Sequence, residues 1–180
     1  WSPGKRPSFP SFSEKYGGKT GAVISAVDVI FGIARCAGMD VIRVPGATGF
    51  IDTNYEGKAQ AALKALEDHD LVYLHVEAID ECSHLGDLKL KMQAISEFEN
   101  RIVAPVMKAL EGCGVTFAIL PDHPVPLLLR KHTRTPVPVA ICGDHIVPDS
   151  VNVYSETEAP KGSLGLMTVD EFIRKVLNLK

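Results

Sequence analysis

Blocks of apolar residues, separated by polar, glycine and proline residues, run through most of the chain. Short apolar runs predict buried strands, and apolar residues that recur every three or four positions predict amphipathic helices. Glycine directly after a helical block, as at Gly38 and Gly112, predicts its end. The predicted strands cover residues 21–27, 39–44, 71–76, 115–120 and 137–142, and the predicted helices cover 27–37, 54–68, 87–110 and 168–177.

The order of these elements predicts an α/β fold with a mostly parallel sheet, because strands alternate with helices. Residues 71–76 are almost continuously apolar, which is typical of a central parallel strand covered on both faces. We expect strands 71–76, 115–120 and 137–142 to share one sheet. Residues 1–20, with their prolines, glycines and serines, are predicted to be an irregular lead-in or linker, and residues 21–180 to form one domain.

Composition and charge restrict the classes of function. The 180 residues carry a net charge of −3, so the sequence lacks the polybasic surface of a nucleic-acid-binding protein. No apolar run approaches the roughly 20 residues that a membrane-spanning helix needs. Three of the four cysteines lie in or beside apolar segments, where small buried side chains are expected. Since no disulfide pattern is visible, we expect a reducing cytoplasm.

Polar side chains gather where the predicted strands end. Asp80 and His84 follow strand 71–76, Asp122 and His123 follow strand 115–120, and His132 precedes strand 137–142. Because ligands of open α/β sheets bind at the carboxyl ends of the strands, these side chains are predicted to lie near one edge. The D-x-x-x-H spacing suits one ion on either a helical turn or a tight loop. Aspartate and histidine are suitable ligands for Zn²⁺ or Mn²⁺, so the sequence predicts a metal site.

The other histidines carry weaker signals. His75 lies inside the apolar run 71–76, where a hydrogen-bonded core histidine is the better interpretation and a functional role is the alternative. His69 and His145 are predicted to be surface or loop residues.

Several segments, in order along nearly the whole chain, resemble one enzyme family. They are residues 25–28 (SAVD), 46–58 (GATGFIDTNYEGK), 75–87 (HVEAIDECSHLGD), 120–123 (LPDH), and 132–133 (HT) followed by 136–138 (PVP). These segments are similar to those of the archaeal-type cofactor-independent phosphoglycerate mutases, members of the alkaline phosphatase superfamily. The resemblance implies an alkaline phosphatase-like three-layer α/β/α sandwich, with this chain as the C-terminal portion of the metal-binding domain.

The resemblance also implies two divalent metal ions and assigns their ligands. One ion is held by Asp80, His84 and His132. The other is held by Asp122 and His123, together with an aspartate and a nucleophilic serine from an N-terminal region. The implied ions are Mn²⁺ or Zn²⁺, with Mg²⁺ as a further candidate. Because neither of these N-terminal motifs is found here, the chain contains no catalytic nucleophile and is expected to be inactive alone.

The implied reaction is the glycolytic conversion of 3-phosphoglycerate to 2-phosphoglycerate, through a phosphoserine held at the metal ions and without 2,3-bisphosphoglycerate. The implied partners are a small phosphorylated substrate and the N-terminal region of the same protein, with no nucleic acid and no membrane. Lys58, Arg134 and Lys15 are candidate contacts for substrate anions, and solvated surface charges are the alternative.

Two departures from the family pattern leave alternatives open. Ile79 and Ser83 replace the more common proline and glycine beside the ligands. Phe31 stands where many members carry a basic residue that could contact substrate phosphate. A homoserine kinase-like enzyme and a phosphatase of the same superfamily therefore stay open, as does a non-enzymatic reading in which the chain is an inert fragment or scaffold.

Overall fold

The computed structural model describes residues 4–5 and 7–179, so parts of the predicted lead-in (1–3 and Arg6) and the last residue, Lys180, lie outside the described residues. The helices are α1 (Phe12–Lys15), α2 (Asp28–Cys36), α3 (Tyr55–Ala65), α4 (Ala78–Leu85), α5 (Leu88–Phe98), α6 (Ala104–Ala109) and α7 (Val169–Val176). The strands are β1 (Gly21–Ser25), β2 (Asp40–Arg43), β3 (Leu71–Leu74), β4 (Phe117–Ile119) and β5 (Ala140–Cys142). A π-helical segment, Glu99–Val103, joins α5 to α6, and Ala159–Lys161 form a 3-10 helix.

The first three strands form a parallel sheet in the order β2-β1-β3. Val23 of β1 pairs with Val41 of β2 on one side and with Tyr73 of β3 on the other. Every residue of β1 is buried, whereas β2 and β3 are partly exposed. The prediction that residues 71–76 form the central strand is therefore wrong, because β1 occupies that position and β3 lies at the edge of this sheet.

Helices cover both faces of the parallel sheet. Val23 packs against Phe31 of α2 on one face. Leu74 pairs with the residue after Val23, so its side chain points to the opposite face, where it packs with Tyr55 of α3 and Ile102 of the π-helical segment. Helix, sheet and helix form three layers, which confirms the predicted α/β class.

Strands β4 and β5 form a separate antiparallel pair, with Phe117 opposite Cys142. The prediction that residues 71–76, 115–120 and 137–142 share one sheet is wrong. Parallel neighbours need a long crossover connection, usually a helix, whereas antiparallel neighbours do not. The segment between β4 and β5 is a proline-containing loop without a helix, so the chain returns beside β4 in the opposite direction.

Two helical regions differ from the predictions. Helix α4 is not among the predicted helices, and it ends at Gly86 in a left-handed conformation. The single helix predicted over 87–110 is interrupted by the π-helical segment. Pro105, at the start of α6, has no N–H to donate to the carbonyl four residues earlier, which accounts for the break. Within the described residues, no helix is both long and apolar enough to cross a membrane.

The lead-in that was predicted to be irregular contains the short helix α1. Ser11 Oγ accepts a hydrogen bond from the Glu14 backbone N–H, and the Glu14 carboxylate accepts one from the Ser11 backbone, a capping box that begins the helix. Phe12 and Tyr16 are buried, so this segment packs on the domain.

The cysteines are more exposed than the sequence predicts. Only Cys82 is buried, Cys36 is partly buried, and Cys113 and Cys142 are exposed. The expectation of three buried thiols is wrong. Cys113 lies in the turn after α6 and Cys142 in β5, and both are exposed although their neighbours in sequence are apolar.

Candidate metal centre

Helix α4 carries two of the predicted metal ligands on one face. Asp80 and His84 are four residues apart, so their side chains lie one above the other. Asp80 Oδ2 lies 3.2 Å from His84 Nε2. Of the two conformations that the sequence left open for this spacing, the structure has the helical turn.

The loop between β4 and β5 brings three more predicted residues to the same position. His132 Nε2 lies 3.1 Å from His84 Nε2 and 3.8 Å from Asp80 Oδ1. His123 Nδ1 lies 3.8 Å from Asp80 Oδ1, and the His123 and His132 rings stack with their centroids 3.8 Å apart. Asp122 Oδ2 lies 3.4 Å from His123 Nε2. The five residues form one cluster, with Asp80 near three histidines.

Two atoms of this cluster are buried without a hydrogen-bond partner, Asp80 Oδ1 and His123 Nδ1. Leaving such an atom unsatisfied costs about 1–3 kcal/mol. Ligand atoms of Asp80, His123 and His132 lie within 4.8 Å of one another. Divalent cations bound at this cluster would satisfy both unpartnered atoms, so the donor set fits metal binding.

The ring of His84 is held in one tautomer by a backbone carbonyl. His84 Nδ1 lies 2.9 Å from the carbonyl oxygen of Arg130, which can only accept a hydrogen bond. In the neutral ring the proton is therefore on Nδ1, and Nε2 presents its lone pair to the cluster. Metal-binding histidines are commonly oriented by such a bond from the second nitrogen. No sequence pattern marks Arg130, because it acts through its main chain, in a left-handed conformation with φ of 52°.

Replacing Gly86 with alanine is expected to lower the stability of the chain and to leave metal binding nearly unchanged. Gly86 has φ of 71°, and a Cβ there would overlap the Arg130 guanidinium, the end of a flexible side chain that can move aside while the Arg130 carbonyl stays against His84. The backbone strain alone should lower the free energy of unfolding by about 1 kcal/mol. Gly112→Ala is the matched control, because Gly112 has φ of 75° but open space around it. Urea unfolding and titration with Mn²⁺ measure the two effects, and a lower Mn²⁺ affinity in Gly86→Ala than in Gly112→Ala would contradict this expectation.

Lys58 is buried, so its interpretation as a surface charge is wrong, whereas its contact with substrate stays a prediction. Its side chain is inaccessible to solvent, and Nζ donates a hydrogen bond to the His75 carbonyl oxygen at 3.1 Å. Burial lowers the pKa of Lys58 to about 8. Helical periodicity carries the missed signal, because Lys58 lies on the same buried face of α3 as Tyr55, Ala59 and Ala62.

The remaining histidines lie outside the cluster of five residues. His75 Nδ1 lies 3.0 Å from Ser25 Oγ, so the ring is hydrogen-bonded as interpreted, but the residue follows β3 and is only partly buried. Burial lowers the His75 pKa. His145 is exposed, as predicted. His69 is more buried than predicted, with Nε2 3.0 Å from Asp40 Oδ2.

Three further residues carry sequence-based predictions about substrate binding. Arg134 is exposed, and its contact with substrate stays a prediction. Lys15 is exposed, and its Nζ lies 3.0 Å from Asp170 Oδ1. Phe31 is buried in the core beneath the Arg43 guanidinium, which lies 4.5 Å from the ring centroid. Its apolar character is therefore explained by packing.

An α/β domain with a cluster of aspartates and histidines at one end is consistent with the family whose sequence model matches residues 1–178, the metalloenzyme superfamily, and the chain belongs to it. Its relatives include the 2,3-bisphosphoglycerate-independent phosphoglycerate mutase of Methanosarcina acetivorans, 51% identical over 96% of this chain. A protein of Geobacter sulfurreducens described as probably the same enzyme is 54% identical over 96% of this chain. The chain spans only 44% and 43% of the lengths of these two relatives.

Two solved structures share the fold. A protein from Pyrococcus horikoshii is 32% identical in sequence, with a TM-score of 0.90. The match covers 97% of this chain and 54% of the Pyrococcus horikoshii chain. The cofactor-independent phosphoglycerate mutase of Thermoplasma acidophilum is 25% identical with a TM-score of 0.67, over 96% of this chain and 39% of its own. These similarities confirm the alkaline phosphatase-like fold class that the sequence resemblance implied.

Proposed function

We propose that this chain is the metal-binding part of a 2,3-bisphosphoglycerate-independent phosphoglycerate mutase, which converts 3-phosphoglycerate to 2-phosphoglycerate in glycolysis. The observation that carries the proposal is the cluster of Asp80 with three histidines, one of which also contacts Asp122, in a chain about half identical to relatives with that name. Since the chain covers less than half the length of those relatives, the activity is proposed for a longer protein. A glycolytic role would make the cytoplasm its location.

We assign Asp80, His84 and His132 to one ion and Asp122 and His123 to a second. The unpartnered Asp80 Oδ1 and the fixed tautomer of His84 support the first assignment. Mixed carboxylate and imidazole ligands suit Mn²⁺ or Zn²⁺, and Mg²⁺, which prefers oxygen, is the weaker candidate. Two ligands are too few for the second ion, so we propose that an N-terminal region supplies an aspartate and the nucleophilic serine.

The role of this chain is to bind the divalent metal ions next to the phosphoryl group that is transferred. When bound, the divalent ions stabilise the attacking and leaving oxygens of a phosphoryl transfer. The carboxylates of Asp80 and Asp122 supply the negative charge that retains them. The Arg130 carbonyl keeps the His84 ring in the orientation that binds, so the site needs little rearrangement.

The homoserine kinase alternative rested on Phe31 in place of a basic residue. Because Phe31 of α2 packs in the core against Val23 of β1, it gives no reason to prefer that alternative. The relatives named above, all phosphoglycerate mutases or probable ones where a function is given, favour the mutase.

The proposal is tested with a protein that contains this chain together with the N-terminal region of its relatives. With Mn²⁺ it should convert 3-phosphoglycerate to 2-phosphoglycerate without added 2,3-bisphosphoglycerate, and the 180-residue chain alone should not. A parallel assay with homoserine and ATP measures homoserine kinase activity. A second assay, with water as the only phosphate acceptor, measures phosphatase activity. Phosphohomoserine formation without mutase activity would reject the proposed substrate.

A further inference from the structure

Lys58 has an energetic cost that packing does not explain. Its ammonium is inaccessible to solvent, and burying such a charge costs several kcal/mol, so an apolar side chain of similar length would be as stable or more stable. The carboxylate of Glu77 lies near enough to favour the charged form, yet burial dominates and lowers the Lys58 pKa. The reason for a lysine must therefore lie in the hydrogen bond that Nζ makes.

That hydrogen bond is one of three that hold His75, the first residue after β3. Lys58 Nζ donates to the His75 carbonyl at 3.1 Å. The His75 backbone N–H donates to the Ile24 carbonyl at 2.8 Å, and the His75 ring nitrogen Nδ1 lies 3.0 Å from Ser25 Oγ. Ser25 Oγ in turn accepts a hydrogen bond from the Val27 backbone N–H. Backbone donor, backbone acceptor and side chain of His75 are thus all fixed at the end of the sheet.

His75 lies close to the start of α4. Only two residues separate His75 from Ala78, the first residue of α4. The N-cap residue, Glu77, makes no capping hydrogen bond through its side chain, so no cap determines the direction of the helix start. Asp80 lies in the first turn of this helix, where its backbone N–H bonds to the Glu77 carbonyl at 2.9 Å. A change in the backbone conformation of residues 75–77 would therefore shift the position of Asp80.

We propose that Lys58 is a positioning residue of the metal centre: its bond to the His75 carbonyl fixes the direction in which the chain leaves β3, and thereby the position of Asp80 and His84. The inference rests on the metal centre proposed above. The direction of the change in metal affinity distinguishes this role from a direct electrostatic effect of Lys58. The positive charge of Lys58 repels a cation, so removing the charge alone would strengthen metal binding, whereas losing the anchor weakens it.

The test is the affinity of this chain for Mn²⁺, measured by calorimetry at pH 7. Lys58→Met keeps the length of the side chain and removes the donor. We expect the affinity to fall about ten-fold, the lower end of the effect of losing a direct partner of a metal ligand, because Lys58 acts on the ligands through the backbone. Lys64→Met is the matched control, because it removes the same charge from an exposed position of α3 and should leave the affinity unchanged. Far-UV circular dichroism verifies that both variants are folded.

Hydrogen exchange provides a second measurement that needs no metal. Backbone amides of residues 75–82 should exchange faster in Lys58→Met than in the unaltered chain, while those of α5 should not change. Unchanged or tighter Mn²⁺ binding in folded Lys58→Met would overturn the proposal. If the unaltered chain binds no Mn²⁺, the proposed metal centre fails, and unchanged exchange in residues 75–82 would then reject the anchoring role itself.

Discussion

Replacing His84 with alanine will abolish metal binding at the cluster and, in the longer protein, the mutase activity. His84 Nε2 lies within 3.2 Å of both Asp80 and His132, so its loss opens the centre of the site. Loss of an outer partner of a metal ligand already lowers affinity about 10–100-fold, and loss of a ligand should exceed the upper figure. Calorimetry with Mn²⁺ and the assay of 2-phosphoglycerate formation measure the two effects.

The control is a histidine outside the cluster. His145 is exposed, and its Nε2 lies 2.8 Å from the Lys175 carbonyl near the end of the chain. His145→Ala removes the same chemical group and should leave both Mn²⁺ affinity and activity unchanged. Mutase activity that survives in folded His84→Ala would refute the metal centre itself.

The free energy of unfolding will rise between about pH 8 and pH 10.5 by about 3 kcal/mol through Lys58 alone. Burial lowers the pKa of Lys58 from its ordinary 10.5 to about 8 in the folded chain. Below pH 8 the lysine is charged in both states, and the penalty for burying the charge is complete. Between the two values the unfolded chain binds more protons than the folded chain, so stability increases as pH rises.

Lys58→Met, which has no proton to lose, will lack this rise. The experiment compares urea unfolding of the two proteins, without metal, at several pH values from 7 upward. Burial raises the pKa of Tyr55 and of Cys82, and these groups lower stability as pH rises. They are present in both proteins, so the difference between the two curves isolates Lys58. Parallel curves would show that Lys58 does not titrate in this range.

The sequence predicts those parts of the fold that depend on local pattern. Apolar runs locate β1, β2 and β3 to within one or two residues, and helical spacing locates α2, α3 and α7. Asp80 and His84 can be recognised from the sequence because their spacing suits one metal ion and because they follow a strand, where ligands of α/β sheets bind. The pairing of β4 with β5 is not predictable in this way, because it depends on the path of a loop and not on the composition of either strand.

The residues that sequence pattern misses act through the main chain or from inside the core. Arg130 contributes a carbonyl oxygen, which every residue type possesses, so its identity carries no signal. Lys58 carries a charge that suggests the surface, although its helical position places it inside. For Lys58, the helical periodicity of α3 predicts burial correctly, whereas the polarity of the side chain does not.

The proposed metal ligands come from two parts of the chain that share no strand pairing. Asp80 follows the parallel sheet, whereas His123 and His132 lie in the loop between β4 and β5, and the two sheets are separate. An ion bound to Asp80, His84 and His132 would act as a removable cross-link that closes a loop of about 50 residues, with the entropic effect of a disulfide of that span. The supply of metal would then regulate how firmly the two sheets are tethered, and so how readily proteases reach the loop between β4 and β5.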